Sequence, residues 1–172
     1  MRPLRWLWRG YDALVTAAWW GAILCAAAML VLILADVSLR ILGFRPPAAT
    51  IGLVEYSLLY LAMLSAPRLV REGQHIVVET VIGALSGWPR LILEKTIYAA
   101  AAATCAVLGF AAWILTAEKI ESGTLDLRGI DLPSWLLPAP IALGCALCAI
   151  EFLRFLLTRR SFYTARGTET IL

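Results

Sequence analysis

The chain has 172 residues, of which 61% are hydrophobic and only 16% are charged. This balance lies far from that of a soluble globular domain, and four long apolar runs leave no room for a separate soluble catalytic domain. The formal net charge of +3 is too small to indicate nucleic-acid binding, and the basic residues are distributed as membrane topology predicts.

The four apolar runs are each long enough to form a membrane-crossing helix. Three contain 23, 22 and 19 consecutive uncharged residues, and the other contains a single carboxylate, Glu55. About 20 apolar residues in a helix cross a hydrocarbon core roughly 30 Å thick, and backbone groups in lipid must bond internally. We therefore predict an all-α membrane protein with one four-span domain over residues 1–172. The predicted spans cover about 13–42, 50–71, 91–117 and 135–157.

Basic residues select one orientation for these spans. Eleven of the 15 Lys and Arg residues fall in the N-terminal segment, the connection between spans 2 and 3, and the C-terminal tail. Because loops rich in Lys and Arg stay on the cytoplasmic side, both termini are predicted to be cytoplasmic, with a polar tail over 160–172. The first apolar stretch is much longer than a signal-peptide core, so we expect an uncleaved first span.

Charged residues mark the facing ends of spans 1 and 2. Asp36 and Arg40 are four residues apart, which places them on one helix face as an ion pair, either as a solvated helix end or as a contact with a partner protein. Glu55 opens span 2 among apolar residues. It could lie in water at the interface, pair with an arginine such as Arg40, or serve as a proton-relay carboxylate. Pro67 is expected to bend or end span 2.

The densest polar cluster follows span 2. Apolar residues at helical spacing over about 74–88 predict a short amphipathic helix on the membrane surface, because an unpaired edge strand there would be costly. A glycine before this segment is the predicted turn into it. A lone histidine among carboxylates is more often a hydrogen-bonded corner residue than a metal ligand or a base. The candidate structural or subunit-interface residues of this cluster are Arg68, Arg71, Gly73, His75 and Glu79.

The last third of the chain holds an acidic connection and the fourth span. The connection over 118–134 carries four acidic and two basic residues and is predicted to face outward. Cys145 and Cys148 form a C-x-x-C inside the apolar run, but no other Cys or His lies nearby in sequence, which favours helix packing over metal or redox chemistry. Glu151 and Arg154 are three residues apart and are predicted to form a local pair.

Motifs for catalysis are not recognisable in the sequence, so no enzyme activity, cofactor or metal site is predicted. There is no phosphate-binding loop, no nucleophile elbow and no pair of broken helices of the kind that secondary transporters use. Three hypotheses follow from the residues. The first is a membrane scaffold, the second an autonomous homo-oligomeric carrier that uses Glu55 as its proton- or ion-coupled carboxylate, and the third an assembly subunit of a respiratory complex.

An ordered set of residues across spans 1 to 4 resembles the small-permease (Q) subunit of the tripartite ATP-independent periplasmic (TRAP) transporters. That family has a Glu opening span 2 and then a basic residue, a Gly and a His-Ile-x-Val-acid run. Asp36 with Arg40 and the Leu132-Pro-Ser-Trp135 approach to span 4 are similar to the family as well. Departures are Leu53-Val54 before the span 2 Glu and Pro67 where a small residue is usual. The span 2 set here is Glu55, Arg71, Gly73, His75, Ile76, Val78 and Glu79.

The resemblance implies a multi-pass subunit in the bacterial inner membrane that pairs with a large M permease subunit. The M subunit would hold the sodium and substrate sites and move as an elevator, whereas the Q subunit would be a fixed scaffold in contact with membrane lipids. A periplasmic substrate-binding protein would deliver an organic acid anion. The outward-facing residues expected to help dock that protein, besides Asp36 and Arg40, are Arg45, Glu121, Asp126, Arg128 and Asp131.

Overall fold

Four long helices make up most of the protein. The computed structural model describes residues 3–45, 47, 49–72, 88–126 and 131–157. Each helix contains an apolar segment long enough to cross a membrane, so the predicted all-α membrane fold with four transmembrane helices is confirmed. The predicted amphipathic helix over about 74–88 and the polar tail over 160–172 lie outside the described residues, except Trp88. The helices are α1 (Pro3–Ile41), α2 (Ala49–Arg71), α3 (Trp88–Ser122) and α4 (Pro138–Leu157).

Helix α1 is longer than a bilayer crossing requires. Its 39 residues correspond to about 58 Å at 1.5 Å per residue, roughly twice the thickness of a hydrocarbon core. The helix therefore begins about ten residues before the predicted first span and carries charged residues at both ends. Helix bounds do not mark the edges of the hydrocarbon, so the span boundaries stay a prediction.

The helices pack in the order α1–α2–α4–α3 rather than as a square bundle. Helix α1 packs on α2, α2 on α4, and α4 on α3. Helix α4 is the central element, because 44% of its apolar window is buried compared with 6% for α1. The core between α2 and α4 is built around Val70, Cys148 and Phe152. The outer faces of α1 and α3 are apolar and exposed, as expected of surfaces that face lipid.

Helix α2 continues through Pro67 to Arg71, so of the two effects expected of this proline, a bend or an end, it does not end the helix. Proline has no amide hydrogen, which leaves the Met63 carbonyl four residues earlier without its usual helical donor. Gly144 of α4 lies directly against this carbonyl: a Cβ atom at Gly144 would stand 2.6 Å from Met63 O. The neighbouring helix therefore covers this stretch of exposed backbone.

A small hairpin closes the end of the bundle between α3 and α4. Strands β1 (Leu125–Asp126) and β2 (Leu132–Pro133) pair antiparallel, and a short 3-10 helix over Ser134–Leu136 leads into α4. Ser134 closes the hairpin, because its hydroxyl and its amide both donate to the Thr124 carbonyl at 2.7 and 3.0 Å. We call this end of the bundle the hairpin end. The opposite end, where α1 and α3 begin and α2 and α4 end, we call the arginine end.

Candidate functional site

A buried carboxylate, Glu151, is the centre of an ion-pair network at the arginine end. Its side chain is 1% exposed, and Arg71 of α2 donates to its Oε1 from Nε at 2.8 Å and from Nη2 at 2.6 Å. The two residues are 80 positions apart in sequence. Burying an isolated carboxylate is costly, and a charge-assisted pair of hydrogen bonds from arginine offsets that cost. Helices α2 and α4 are therefore tied together through this pair.

Arg71 also connects the first helix to the network. Its Nη2 lies 3.0 Å from Oδ1 of Asp12 in α1, so one guanidinium joins carboxylates from two other helices. Arg154 of α4 is more distant, with its Nη1 at 3.8 Å from Glu151 Oε2 and 3.9 Å from Asp12 Oδ1. The two carboxylates and two guanidinium groups cancel in formal charge. This neutrality suits a cluster next to lipid.

Aromatic side chains of α1 cover the arginines of the network. The Cζ atom of Arg71 lies 5.5 Å from the Tyr11 ring centroid, and that of Arg154 lies 4.7 Å from the Trp8 centroid. Such cation–π contacts stabilise a guanidinium by about 0.5–2 kcal/mol, depending on how far it is desolvated. The Tyr11 hydroxyl also donates to the Leu147 carbonyl at 3.1 Å. Helix α1 is thus fixed to both α2 and α4.

The last turn of α4 is held from its other side by Lys95 of α3. Its Nζ donates to the carbonyls of Phe155 and Leu156 at 2.8 and 2.6 Å. The last carbonyls of a helix lack intrahelical donors, and a cation near the C-terminus also opposes the helix dipole. All four helices therefore converge on the end of α4 through charged groups.

The cysteines of the predicted C-x-x-C lie in the packing between helices. Cys148 belongs to the core between α2 and α4, whereas a Cβ added at Gly109 of α3 would meet the Cys145 Cβ at 3.3 Å. The four cysteines are free thiols. Within the described ranges, no group of three or more His, Cys, Asp and Glu residues is arranged to hold a metal ion.

The structure places the predicted polar candidates in separate surroundings. Asp36 and Arg40 form the expected i,i+4 pair at 2.8 Å on the surface of α1. Glu55 is exposed. Arg68 pairs with Glu72 at 2.7 Å, and its Cζ lies 4.6 Å from the Trp19 ring centroid. Gly73, His75 and Glu79 lie outside the described residues.

The described docking candidates lie at the hairpin end, where Asp126 has a specific contact. Its Oδ2 accepts a hydrogen bond from the Tyr56 hydroxyl at 2.9 Å, and the hydroxyl of Tyr60 donates to the Leu136 carbonyl at 3.0 Å. Two tyrosines of α2 therefore hold the hairpin region in place. Arg128 lies outside the described residues. The remaining candidates are exposed, and they are Arg45, Glu121 and Asp131.

Sequence reasoning missed the connection of Asp12 to Arg71 and treated Glu151 only as a local partner of Arg154. A signal was present, because Asp12 begins one charge-free run and Glu151 ends another. Acidic residues at matching ends of different spans lie at the same depth and can share a cation. The sequence singles out Arg71, but it does not identify the partners of Arg71. Identifying them requires knowing which helices are neighbours in the bundle.

Comparison with known proteins gives one family match. A family model described as tripartite ATP-independent periplasmic transporters, DctQ component, matches residues 29–161. No curated protein sequence matches the chain. The matched range includes Arg71, Glu151 and Arg154, whereas Asp12 and the aromatic residues that cover the network lie before it.

Proposed function

Because the chain belongs to the DctQ component family of the TRAP transporters, we propose that it is the fixed scaffold subunit of a sodium-coupled importer of an organic acid anion. It pairs with a large M permease subunit in the bacterial inner membrane, and a periplasmic binding protein delivers the substrate. Sodium and substrate bind in the M subunit. This small subunit widens the static wall of the complex against which the M subunit moves. Family membership disfavours the respiratory-complex hypothesis.

The observation that carries this proposal is the binding of Arg71 to Glu151 and Asp12. One guanidinium joins three helices within 3.0 Å, and the buried carboxylate would lose its compensation if the helices separated. A carrier instead needs charged or polar groups that can exchange a ligand or a proton. An arginine stays protonated at physiological pH, so this network supports a rigid assembly and not a transport pathway.

The arginine end faces the cytoplasm in this proposal. It lies at the side of the membrane that carries 11 of the 15 basic residues, as the positive-inside bias requires. Both termini are then cytoplasmic, and the hairpin end faces the periplasm, where a soluble binding protein could reach it.

Substrate uptake into liposomes tests the scaffold role against the autonomous carrier. Liposomes that contain this chain alone are expected to take up no substrate, whereas uptake appears when the M subunit and binding protein are added. In the complete system, Glu55→Gln is expected to change the uptake rate by less than roughly twofold, because a relay carboxylate is not needed in a scaffold. Uptake by the chain alone, abolished by Glu55→Gln, would establish the carrier instead.

Docking of the binding protein at the hairpin end is part of the proposal and has its own test. Arg40→Glu and Asp126→Arg are each expected to reduce uptake at limiting binding protein by roughly three- to tenfold, since charges at a docking surface mainly set the association rate. Tyr56→Phe is the matched control for Asp126, because it removes the hydrogen bond at 2.9 Å and keeps the carboxylate charge. Normal uptake in both reversal variants at low ionic strength would refute docking at this surface.

A further inference from the structure

Arg154 is the member of the network whose N–H donors make no short hydrogen bond to the residues that the structure describes. Its two nearest carboxylate oxygens are 3.8 and 3.9 Å away, beyond the range of a good hydrogen bond. Among the described residues, its contacts are these two attractions and the face of Trp8. The Arg154 Cζ lies over the Trp8 ring at 4.7 Å from its centroid, a cation–π contact. Its side chain is 37% exposed, so these donors can be reached from outside the bundle.

The position of Arg154 fits the headgroup level of a bilayer. It follows the charge-free run of α4 directly, and Trp8 precedes the charge-free run of α1. Tryptophan residues concentrate at the membrane–water interface, and Trp8 is 38% exposed. The Arg154 guanidinium is therefore expected near the level of the phospholipid phosphate groups.

The local charge favours an anion. Asp12 and Glu151 cancel the charges of Arg71 and Arg154, and Arg9, exposed on the turn of α1 that carries Trp8, adds one positive charge. Neither carboxylate satisfies Arg154 fully in this geometry, because the nearest oxygens of Glu151 and Asp12 lie 3.8 and 3.9 Å from its Nη1. An acceptor from outside the protein would complete the coordination of this guanidinium.

We propose that Arg154, stacked on Trp8 and assisted by Arg9, binds the phosphate group of an anionic phospholipid at the arginine end. A phosphodiester oxygen would accept charge-assisted hydrogen bonds from the guanidinium edge, while the acyl chains lie along the apolar surface next to α1 and α4. Anionic lipids are attracted to basic sites at the cytoplasmic surface. This lipid site is a separate claim from the scaffold role, because it needs only the geometry of α1 and α4.

The chain offers a closely matched control for this proposal. Arg68 also stacks on a tryptophan, at 4.6 Å from the Trp19 centroid, and its side chain is also 37% exposed. However, its Nε donates to Glu72 at 2.7 Å. The two arginines therefore share a stacked geometry and an exposure, and they differ in whether a carboxylate already occupies the donors.

Native mass spectrometry of the purified, delipidated full chain tests the site directly. Phosphatidylglycerol, titrated into the detergent solution, is expected to bind about tenfold more tightly than phosphatidylcholine. Arg154→Gln should weaken phosphatidylglycerol binding about tenfold, whereas Arg68→Gln should leave it unchanged. Trp8→Leu keeps every ion pair of the network and should still weaken binding, which separates loss of the site from loss of the fold.

Four outcomes would overturn the proposal. Equal binding of the two lipids would show that lipid charge does not matter. Equal losses of lipid affinity in the Arg154 and Arg68 variants would show that the free N–H donors of Arg154 do not matter. Unchanged lipid binding in Trp8→Leu would show that the contact of Arg154 with Trp8 does not contribute to the site. If inorganic phosphate displaced phosphatidylglycerol at a comparable concentration, the site would bind a soluble phosphate anion and not specifically a lipid headgroup.

Discussion

Arg71→Leu is expected to lower the free energy of unfolding by about 3–5 kcal/mol, the usual cost of removing one partner of a buried ion pair. The substitution leaves Glu151, 1% exposed, without its two hydrogen bonds and also releases Asp12 of α1. Three helices would lose their common contact. We therefore expect Arg71→Leu to cause a larger loss of stability than any other single substitution of a polar residue at the arginine end.

Two further variants make the Arg71 prediction specific. Arg68→Leu removes an arginine one turn earlier whose partner, Glu72, is 39% exposed, and it should cost less than about 1 kcal/mol. The double variant Arg71→Leu/Glu151→Leu should recover most of the loss, because the buried carboxylate is removed together with its partner. Thermal unfolding can be followed by thiol labelling, since the four free cysteines lie within the helices. Equal losses for Arg71→Leu and Arg68→Leu would show that the buried pair is not special.

Gly144→Ala is expected to destabilise the contact of α4 with α2 by about 1–3 kcal/mol, the range seen when atoms are forced into a packed interior. The added Cβ would lie 2.6 Å from Met63 O and 3.0 Å from Met63 Cβ. The obstacle is backbone, which cannot rotate away as a side chain can. Helix α4 would have to move outward, and the Met63 carbonyl left without a donor by Pro67 would lose its cover. Gly144→Val should be more damaging still.

Gly10→Ala is the matched control, because a Cβ there meets nothing within 4 Å. Alanine favours helix over glycine by about 1 kcal/mol, so this variant should be neutral or slightly stabilised. Both variants can be compared by the midpoint of thermal unfolding in detergent. A midpoint for Gly144→Ala at or above that of the unsubstituted chain would contradict the close approach of the two helices.

The four helices could be predicted from the sequence because lipid imposes a simple rule. A charge-free run such as that between Asp12 and Asp36 has to be helical in a bilayer, whatever its neighbours are. Ion pairs within one helix could also be predicted, since helical spacing alone brings Asp36 next to Arg40 and Arg68 next to Glu72. These features depend on one segment at a time.

The network at the arginine end could not be predicted, because it depends on which helices are neighbours. Arg71 and Glu151 meet only because α4 packs between α2 and α3. Spans joined by short connections are expected to be adjacent. This rule predicts that α1 packs on α2, but it does not predict that α2 packs on α4. The surroundings of the proline in α2 could not be predicted for a related reason. The sequence shows the missing amide of Pro67, whereas the compensating glycine lies on another helix.

Rigidity of this subunit during transport is the claim that most needs a direct measurement. Spin labels at Leu24 of α1 and Val107 of α3, both on exposed apolar faces, would report the distance across the bundle after the native cysteines are replaced. In the complete transporter, with and without sodium, substrate and binding protein, pulsed electron resonance should give one unchanged distance distribution. A second population, or a shift of several ångströms on adding substrate, would contradict a fixed scaffold.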